Sequence, residues 1–413
     1  MKKGEIIIKK IFLLLILFII NLNVYASNMI QARIGNNFYD TLQEAIEAAG
    51  PNDIIRLTSN VTLDNTQNIN KTVNINLNNF NISASEKVFE VEGGSLNLTG
   101  KGTIKETNPY YGAIVIKGSD DPNKNDYSTI SVGSNITLEG WSGIFIDHND
   151  NNTGYGILVN MNGNINAVDD KDGGSGAGIY VNGNIKHETN APVINLSDTV
   201  NITSTGNGIY AAGYATYNIN GASISGVESG LGIKSGKVNI FDGTIKGTGE
   251  DKTPTSGNNN GINPSGVAIQ LESNPGYTGN IELNIKKGTI ESNHSNVIYE
   301  YVVNNTSTKV KNINLSGGTY TSKANKNVFS LSDSFKSTHP SFISGGTYSS
   351  NPSSYLKSGY TVNETNSKYE VISSTISVFG EKETNTNTTT ILLIIIPVII
   401  LSLLTYKKLK KRY

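Results

Sequence analysis

Two hydrophobic rhythms run along this chain. From about residue 60 to residue 372, apolar and polar residues alternate over short stretches, as in Val238-Asn239-Ile240, Ile281-Glu282-Leu283-Asn284-Ile285 and Ile313-Asn314-Leu315. Period-two alternation is the pattern of a strand with one buried face, and the Gly, Asn and Ser between these stretches supply bends. One segment keeps a different period. In residues 40–51, Leu42, Ala45, Ile46 and Ala49 share one helical face, and Thr41 and Glu44 have capping-box spacing. Gly50-Pro51 stops the run. The spacing predicts a helix over 41–49 within an N-terminal cap, residues 27–59, placed to cover the open edge of the first strands.

Two unbroken apolar runs lie at the ends. Lys2, Lys3, Lys9 and Lys10 precede Ile11–Ile20, and Val24-Tyr25-Ala26 offers a small-residue cleavage point, so residues 1–26 read as a secretory signal peptide. Residues 391–406 form an uncharged run, short for a span unless flanking Thr and Tyr sit in the interfaces. Pro397 is tolerable in such a helix. The basic tail 407–413 stays cytoplasmic by the positive-inside rule. The expected organisation is a single C-terminal membrane span, a flexible polar linker at 373–390, and everything between residue 27 and the linker outside the cell.

The strand region repeats itself. Gly-Thr followed by a large apolar residue recurs at Gly102-Thr103-Ile104, Gly243-Thr244-Ile245, Gly288-Thr289-Ile290, Gly318-Thr319-Tyr320 and Gly346-Thr347-Tyr348, with a looser copy at Gly221-Ala222-Ser223-Ile224. A second series, Gly178-Ile179-Tyr180, Gly208-Ile209-Tyr210 and Gly230-Leu231-Gly232-Ile233, advances beside it. Both move by 22 residues between neighbouring copies, from 208 to 230 and from 221 to 243. Two phrases sharing one step are two strands of one coil, and a step of this size marks a solenoid. Three short strands and three turns fill such a coil. The expected fold is all-β: a right-handed parallel β-helix over 60–372 with an N-terminal capping helix and a C-terminal transmembrane helix. At that step it would hold roughly 14 coils in a rod of about 70 Å. Ile240, Ile245, Leu283, Ile285 and Leu315 should point inward.

The opening IGNNFYDTLQEAIEAAGPNDIIRLTSNVTL resembles the start of pectate-lyase-like β-helix domains of bacterial, Gram-positive-type surface proteins. The segment ISGGTYSSNPSSYLKSGYTVNETNSKYEVI, residues 343–372, resembles their closing unit. The C-terminal run with its basic tail resembles a wall-sorting signal, but residues 383–388 read ETNTNT where an LPxTG-type motif would stand. The resemblance therefore implies a retained membrane anchor at the cell surface, and a fold that hosts lyases, hydrolases, adhesins and inert scaffolds alike.

Composition narrows the chemistry. The chain has no Cys, which excludes disulfides and thiolate metal sites, and a net charge of −1, which gives no basic field for nucleic acid. The pectin-degrading hydrolases of the class resemble one another in a Gly-His-Gly, a paired Asp and an Arg-Xaa-Lys; His148, His187, His294 and His339 all lie outside such a motif. Arg is the side chain suited to gripping sugar carboxylates, and none lies between Arg56 and Arg412. Two acidic groups are candidates for Ca²⁺ or for an acid–base pair: Asp147-His148-Asn149-Asp150, and Asp169-Asp170-Lys171-Asp172 before Gly173-Gly174. The second lacks the spacing of a Ca²⁺ loop. Both read as solvated loops, and Asp120-Asp121 as an insertion between coils. Trp141, the sole Trp, is a candidate for stacking on a sugar, whereas the repeat tyrosines fill columns or cover the rod. No catalytic, cofactor or metal residue is assigned and no cofactor is expected. The function expected is adhesive or structural in the cell envelope, with a glycan or another surface protein as partner. The alternative is a polysaccharide lyase or glycoside hydrolase.

Overall fold

A computed structural model describes residues 30–252, 266–303 and 307–374. The expected signal peptide 1–26, nearly all of the linker 373–390, the span 391–406 and the tail 407–413 lie outside the described residues. Among the described residues no helix is long and apolar enough to cross a membrane.

The chain winds as a solenoid of parallel strands. Each coil contributes a strand to three columns. The first column includes Thr72–Asn76, Ser95–Thr99, Ser128–Val132, Ile157–Met161, Val193–Leu196, Ile281–Ile285 and Val310–Leu315. The second includes Ile82–Ala84, Gly102–Glu106, Ile136–Gly140, Asn164–Ala167, Asn201–Ser204, Thr289–Ser292 and Thr319–Ser322. The long strands Thr216–Gly226 and Gly236–Gly247 serve both, with a register shift where the chain bends between them. The third column is a separate ten-stranded sheet from Gln67–Ile69 to Phe329–Ser330. Its ten strands replace the roughly 14 coils expected. The coils are longer than the shortest repeat suggests: register partners in this sheet lie 22 residues apart at Ile69↔Val91 but 35 apart at Ile146↔Val181 and 38 at Ile233↔Leu271. Ten coils at about 4.8 Å stack to a rod of about 48 Å.

The repeated phrases are explained by where they sit. The apolar residue of each Gly-Thr phrase belongs to one inward column, in which Ile224, Ile245, Ile290, Tyr320 and Tyr348 are register neighbours. The glycine before it turns the chain into the second strand. At Gly288 φ is +118°, and an added Cβ would lie 2.6 Å from the carbonyl oxygen of Gly243 in the preceding coil. At Gly346 φ is +100°, with the Gly318 oxygen 2.8 Å from the same position. Only glycine accepts both that backbone angle and that approach. Ile240, Ile245, Leu283, Ile285 and Leu315 are all fully buried, as expected.

A feature not foreseen gives one recurring Asn position its role. Along the outer face of the first column, Asn74, Asn97, Ser131, Asn160, Asn195, Asn218, Asn239, Asn284 and Asn314 are successive register partners. Their amides bond along the rod: Asn97 Nδ2 donates to Asn74 Oδ1 at 2.9 Å, Asn195 to Asn160 at 3.0 Å, Asn218 to Asn195 at 2.9 Å, Asn239 to Asn218 at 3.0 Å and Asn284 to Asn239 at 3.2 Å. A primary amide has both donor and acceptor, so identical side chains at the coil spacing form a self-satisfying ladder.

Both ends are closed. At the N-terminal end Ala32–Ile34 pairs antiparallel with Asn37–Tyr39 and with Ile54–Leu57. The helix spans Leu42–Ala48, with a full capping box between Thr41 and Glu44, and buries Leu42, Ala45 and Ile46. At the other end Lys368–Ser373 pairs antiparallel with Thr347–Tyr348 and with Tyr360–Thr365, through a turn in which Asn366 and Ser367 both have positive φ. A second short helix, Asp333–Thr338, interrupts the β pattern expected there; the Ser332 hydroxyl caps it and Phe335 is its buried anchor.

Candidate functional site

The third column carries the most varied surface chemistry. Its outward row runs Asn68, Glu90, Val115, Phe145, Tyr180, Tyr210, Gly232, Gln270, Tyr299, Ser330 in register. The centre is an aromatic ladder. Phe145 and Tyr180 meet edge-on at 4.7 Å, Tyr180 and Tyr210 stack at 5.1 Å, and Trp141 leans on Tyr180 at 5.2 Å. Offset and edge-on pairs of this kind use the ring faces on one another. Burial, with Tyr277 and Asp147 nearby, pushes the Tyr180 phenol up to about 12.

The ladder is anchored by a buried carboxylate. Glu106, 1% exposed, accepts the backbone N–H groups of Tyr110 and Tyr111 through Oε1, both at 2.9 Å, and that of Trp141 through Oε2 at 3.1 Å. It ends a second-column strand, so one side chain fixes the entry of the third column and the Tyr110–Tyr111 corner. Those two rings are exposed, meet edge-on at 4.8 Å, and each lies under a lysine, Lys171 over Tyr110 and Lys87 over Tyr111.

Charged groups flank the ladder at both ends. Towards the N-terminal end Glu90 bonds Lys117 at 2.9 Å and also pairs with Lys87. Burial alone would raise the Glu90 carboxyl, but the two lysines outweigh it and hold it below the usual range. Towards the other end Lys234 and Glu272 pair at 3.3 Å, both essentially buried. Lys234 Nζ also lies 4.7 Å from the Tyr210 ring centre and 4.8 Å from that of Tyr277. Glu272 receives Gln270 Nε2 at 3.2 Å on Oε2 and Asn274 Nδ2 at 2.9 Å on Oε1. Here burial prevails over Glu272 and pushes the Lys234 amine down. Lys309, which donates to the backbone carbonyls of Tyr277 and Lys234, is pushed down by burial to about 8.

The acidic groups singled out in the sequence hold loops. Asp147 Oδ1 accepts Asn182 Nδ2 at 2.8 Å and the His148 backbone N–H at 2.9 Å. Asp150 lies exposed in the turn beyond, whose hydrogen bonds centre on Asn149. Asp170 Oδ1 accepts the backbone N–H groups of Asp172 and Gly174 at 2.8 and 2.7 Å, closing its own loop, while Asp169 and Asp172 do not join it at a common centre. Asp120 bonds Asn151 at 3.0 Å and Asp121 caps Asn123. Among the described residues no three His, Asp or Glu side chains are grouped to hold a metal ion. Trp141 donates its indole N–H to the Ser175 carbonyl at 3.0 Å, so one edge of it is fixed to the neighbouring loop.

Sequence reasoning missed the Lys234–Glu272 cluster and Glu106. All seven residues of Val267–Ser273 are buried, yet Gln270 and Glu272 alternate with Ile269 and Leu271 as on any strand with a wet face. Nothing local distinguishes them. No protein-family model, curated protein or solved structure matches the chain.

Proposed function

We propose that this protein is an adhesive or structural element of a bacterial cell envelope: a right-handed parallel β-helix of pectate-lyase-like type, secreted by residues 1–26 and held at the membrane by residues 391–406. Its partner is a glycan or another surface protein. The observation that carries this reading is the distribution of polar side chains. The Asn column satisfies itself along the rod, the candidate acids Asp147 and Asp170 close loops, and both ends are capped by antiparallel strands, so the polar surface is invested in holding one discrete rod. Such a rod displays a surface; an acid–base mechanism needs carboxylates aimed at a common point.

The test is display. Intact cells carrying the full chain are treated with protease, with and without prior wall removal. Digestion of residues 30–374 on intact cells is the expected result. Protection until the wall is removed would overturn the adhesive role and leave an envelope-internal scaffold. Release of sugar products from a glycan, lost on Asp147→Ala or Asp150→Ala, would overturn the non-enzymatic reading.

A further inference from the structure

We infer that Lys234 and Asn274 are the two ends of an autocatalytic amide cross-link, with Glu272 as the proton carrier between them. An amine and an amide meet on one carboxyl group, which also receives Gln270 Nε2 at 3.2 Å on Oε2. Lys234 Nζ is 3.3 Å from Glu272 Oε2, and Asn274 Nδ2 is 2.9 Å from Glu272 Oε1. All three residues are at most 3% exposed. A primary amine, a primary amide and a carboxyl group that bonds both are the reactants and the catalyst of a transamidation.

The surroundings favour each step. An amine attacks only when neutral, and burial pushes Lys234 in that direction. An amide carbon is a poor electrophile unless its oxygen is polarised. Asn274 Oδ1 accepts the Gly276 backbone N–H at 2.9 Å, a donor placed where negative charge would develop. The usual competing fate of an Asn side chain is attack on its Cγ by the next residue's backbone N–H. Here the next residue is Pro275, which has none.

The step balances without oxidant or reductant. Glu272 takes a proton from the Lys234 ammonium. The amine lone pair forms a C–N bond to Asn274 Cγ, and the carbonyl π electrons move to Oδ1. Glu272 returns its proton to Nδ2 and collects one from the attacking nitrogen. Collapse of the intermediate breaks the Cγ–Nδ2 bond and expels ammonia, which leaves with the last proton as ammonium. One ammonium and one carboxamide go in; one secondary amide and one ammonium ion come out, and Glu272 is again a carboxylate. The product ties the ends of the strands Ser229–Ile233 and Val267–Ser273, neighbours in the third column across its longest step. A covalent tie there closes the loop most in need of restraint against unfolding.

Peptide mapping of the purified full chain, denatured before digestion, decides the matter. The expected result is one branched peptide joining Lys234 to Asn274, lighter than its two parent peptides by one ammonia, with cleavage after Lys234 abolished. Asn274→Ala and Glu272→Gln should yield only linear peptides. Linear peptides from the wild-type chain overturn the proposal. So does a branch from Lys234 to Gln270 or any other amide, or a branch that persists in Glu272→Gln. If either variant fails to fold, the wild-type map alone settles it.

Discussion

Glu90 with Lys117 and Glu272 with Lys234 stand on the same outward face, one pair on each side of the aromatic ladder, yet their chemistry runs in opposite directions. The first pair keeps some water: the lysine is 23% exposed and the glutamate 15%. Both partners shift towards their charged forms, Glu90 down and Lys117 up, because the bond between them outweighs burial. The second pair is 2% and 0% exposed, and burial wins over attraction, so Lys234 shifts away from its charged form. The same two residue types therefore stabilise charge at one pole and make a charge expensive at the other. What separates them is desolvation.

The largest expected effect comes from breaking the buried pole. Glu272→Ala removes both the counter-charge of Lys234 and the proton carrier its cross-link needs, and should lose about 3–5 kcal/mol in denaturant unfolding, while Lys234→Met with Glu272→Leu should recover the part due to the unpaired charge. A single-variant loss no larger than that at Glu90 would erase the distinction between the poles. Next is a buried polar group of another kind. The Tyr217 hydroxyl is fully buried with no hydrogen-bond partner among the described residues, in a column otherwise filled by Ile, Val and Leu. Tyr217→Phe should gain about 1 kcal/mol, and a loss of stability would show that the hydroxyl is satisfied after all.

The less buried pole should respond weakly. Glu90→Gln is expected to cost about 0.5 kcal/mol, less at high salt. Because the folded pKa of Glu90 is depressed, its contribution is present above the usual carboxylate value near 4.5 and fades as pH falls through the folded value. The last effect is read only against pH and belongs to Lys309. Its folded pKa of about 8 lies below the unfolded 10.5, so between these values the unfolded chain binds more protons and this group makes stability rise with pH. Thermal melts at pH 8 and pH 10 should show this as a difference between wild type and Lys309→Met. Identical pH dependence in the two would contradict it.

How much of this was legible in the sequence depended on range. The capping box is four residues wide, and Thr41 and Glu44 announced it. The two tyrosine settings could also be read from phase. In Gly-Ile-Tyr the Ile fills the inside and the Tyr faces out, as at Tyr180 and Tyr210; in Gly-Thr-Tyr the Thr faces out and the Tyr fills the core, as at Tyr320 and Tyr348, which stack at 4.6 Å with no exposure. The Asn ladder was present as Asn flanked by apolar residues in nearly every first-column strand, but composition was seen before position. The coil count failed because loops of unequal length lie between the strands, and a short repeat does not report a longer one. The Lys234–Glu272–Asn274 cluster was invisible for the same reason. Its members join across a step of 38 residues between register partners, and nothing local sets that length.

The central claim is that the repeated phrases are architecture, each coil a unit that stacks on the next. Removing residues 195–217 joins Ile194 to Asn218, which is Asn195's own register partner one coil on, and so deletes one whole coil. Removing residues 195–206 deletes part of a coil and misplaces every following strand. Unfolding of the two variants, followed by circular dichroism, tests the claim directly. The account predicts a single cooperative transition and proportionate β content for the whole-coil deletion, and collapse for the partial one. Equal damage from both would contradict it.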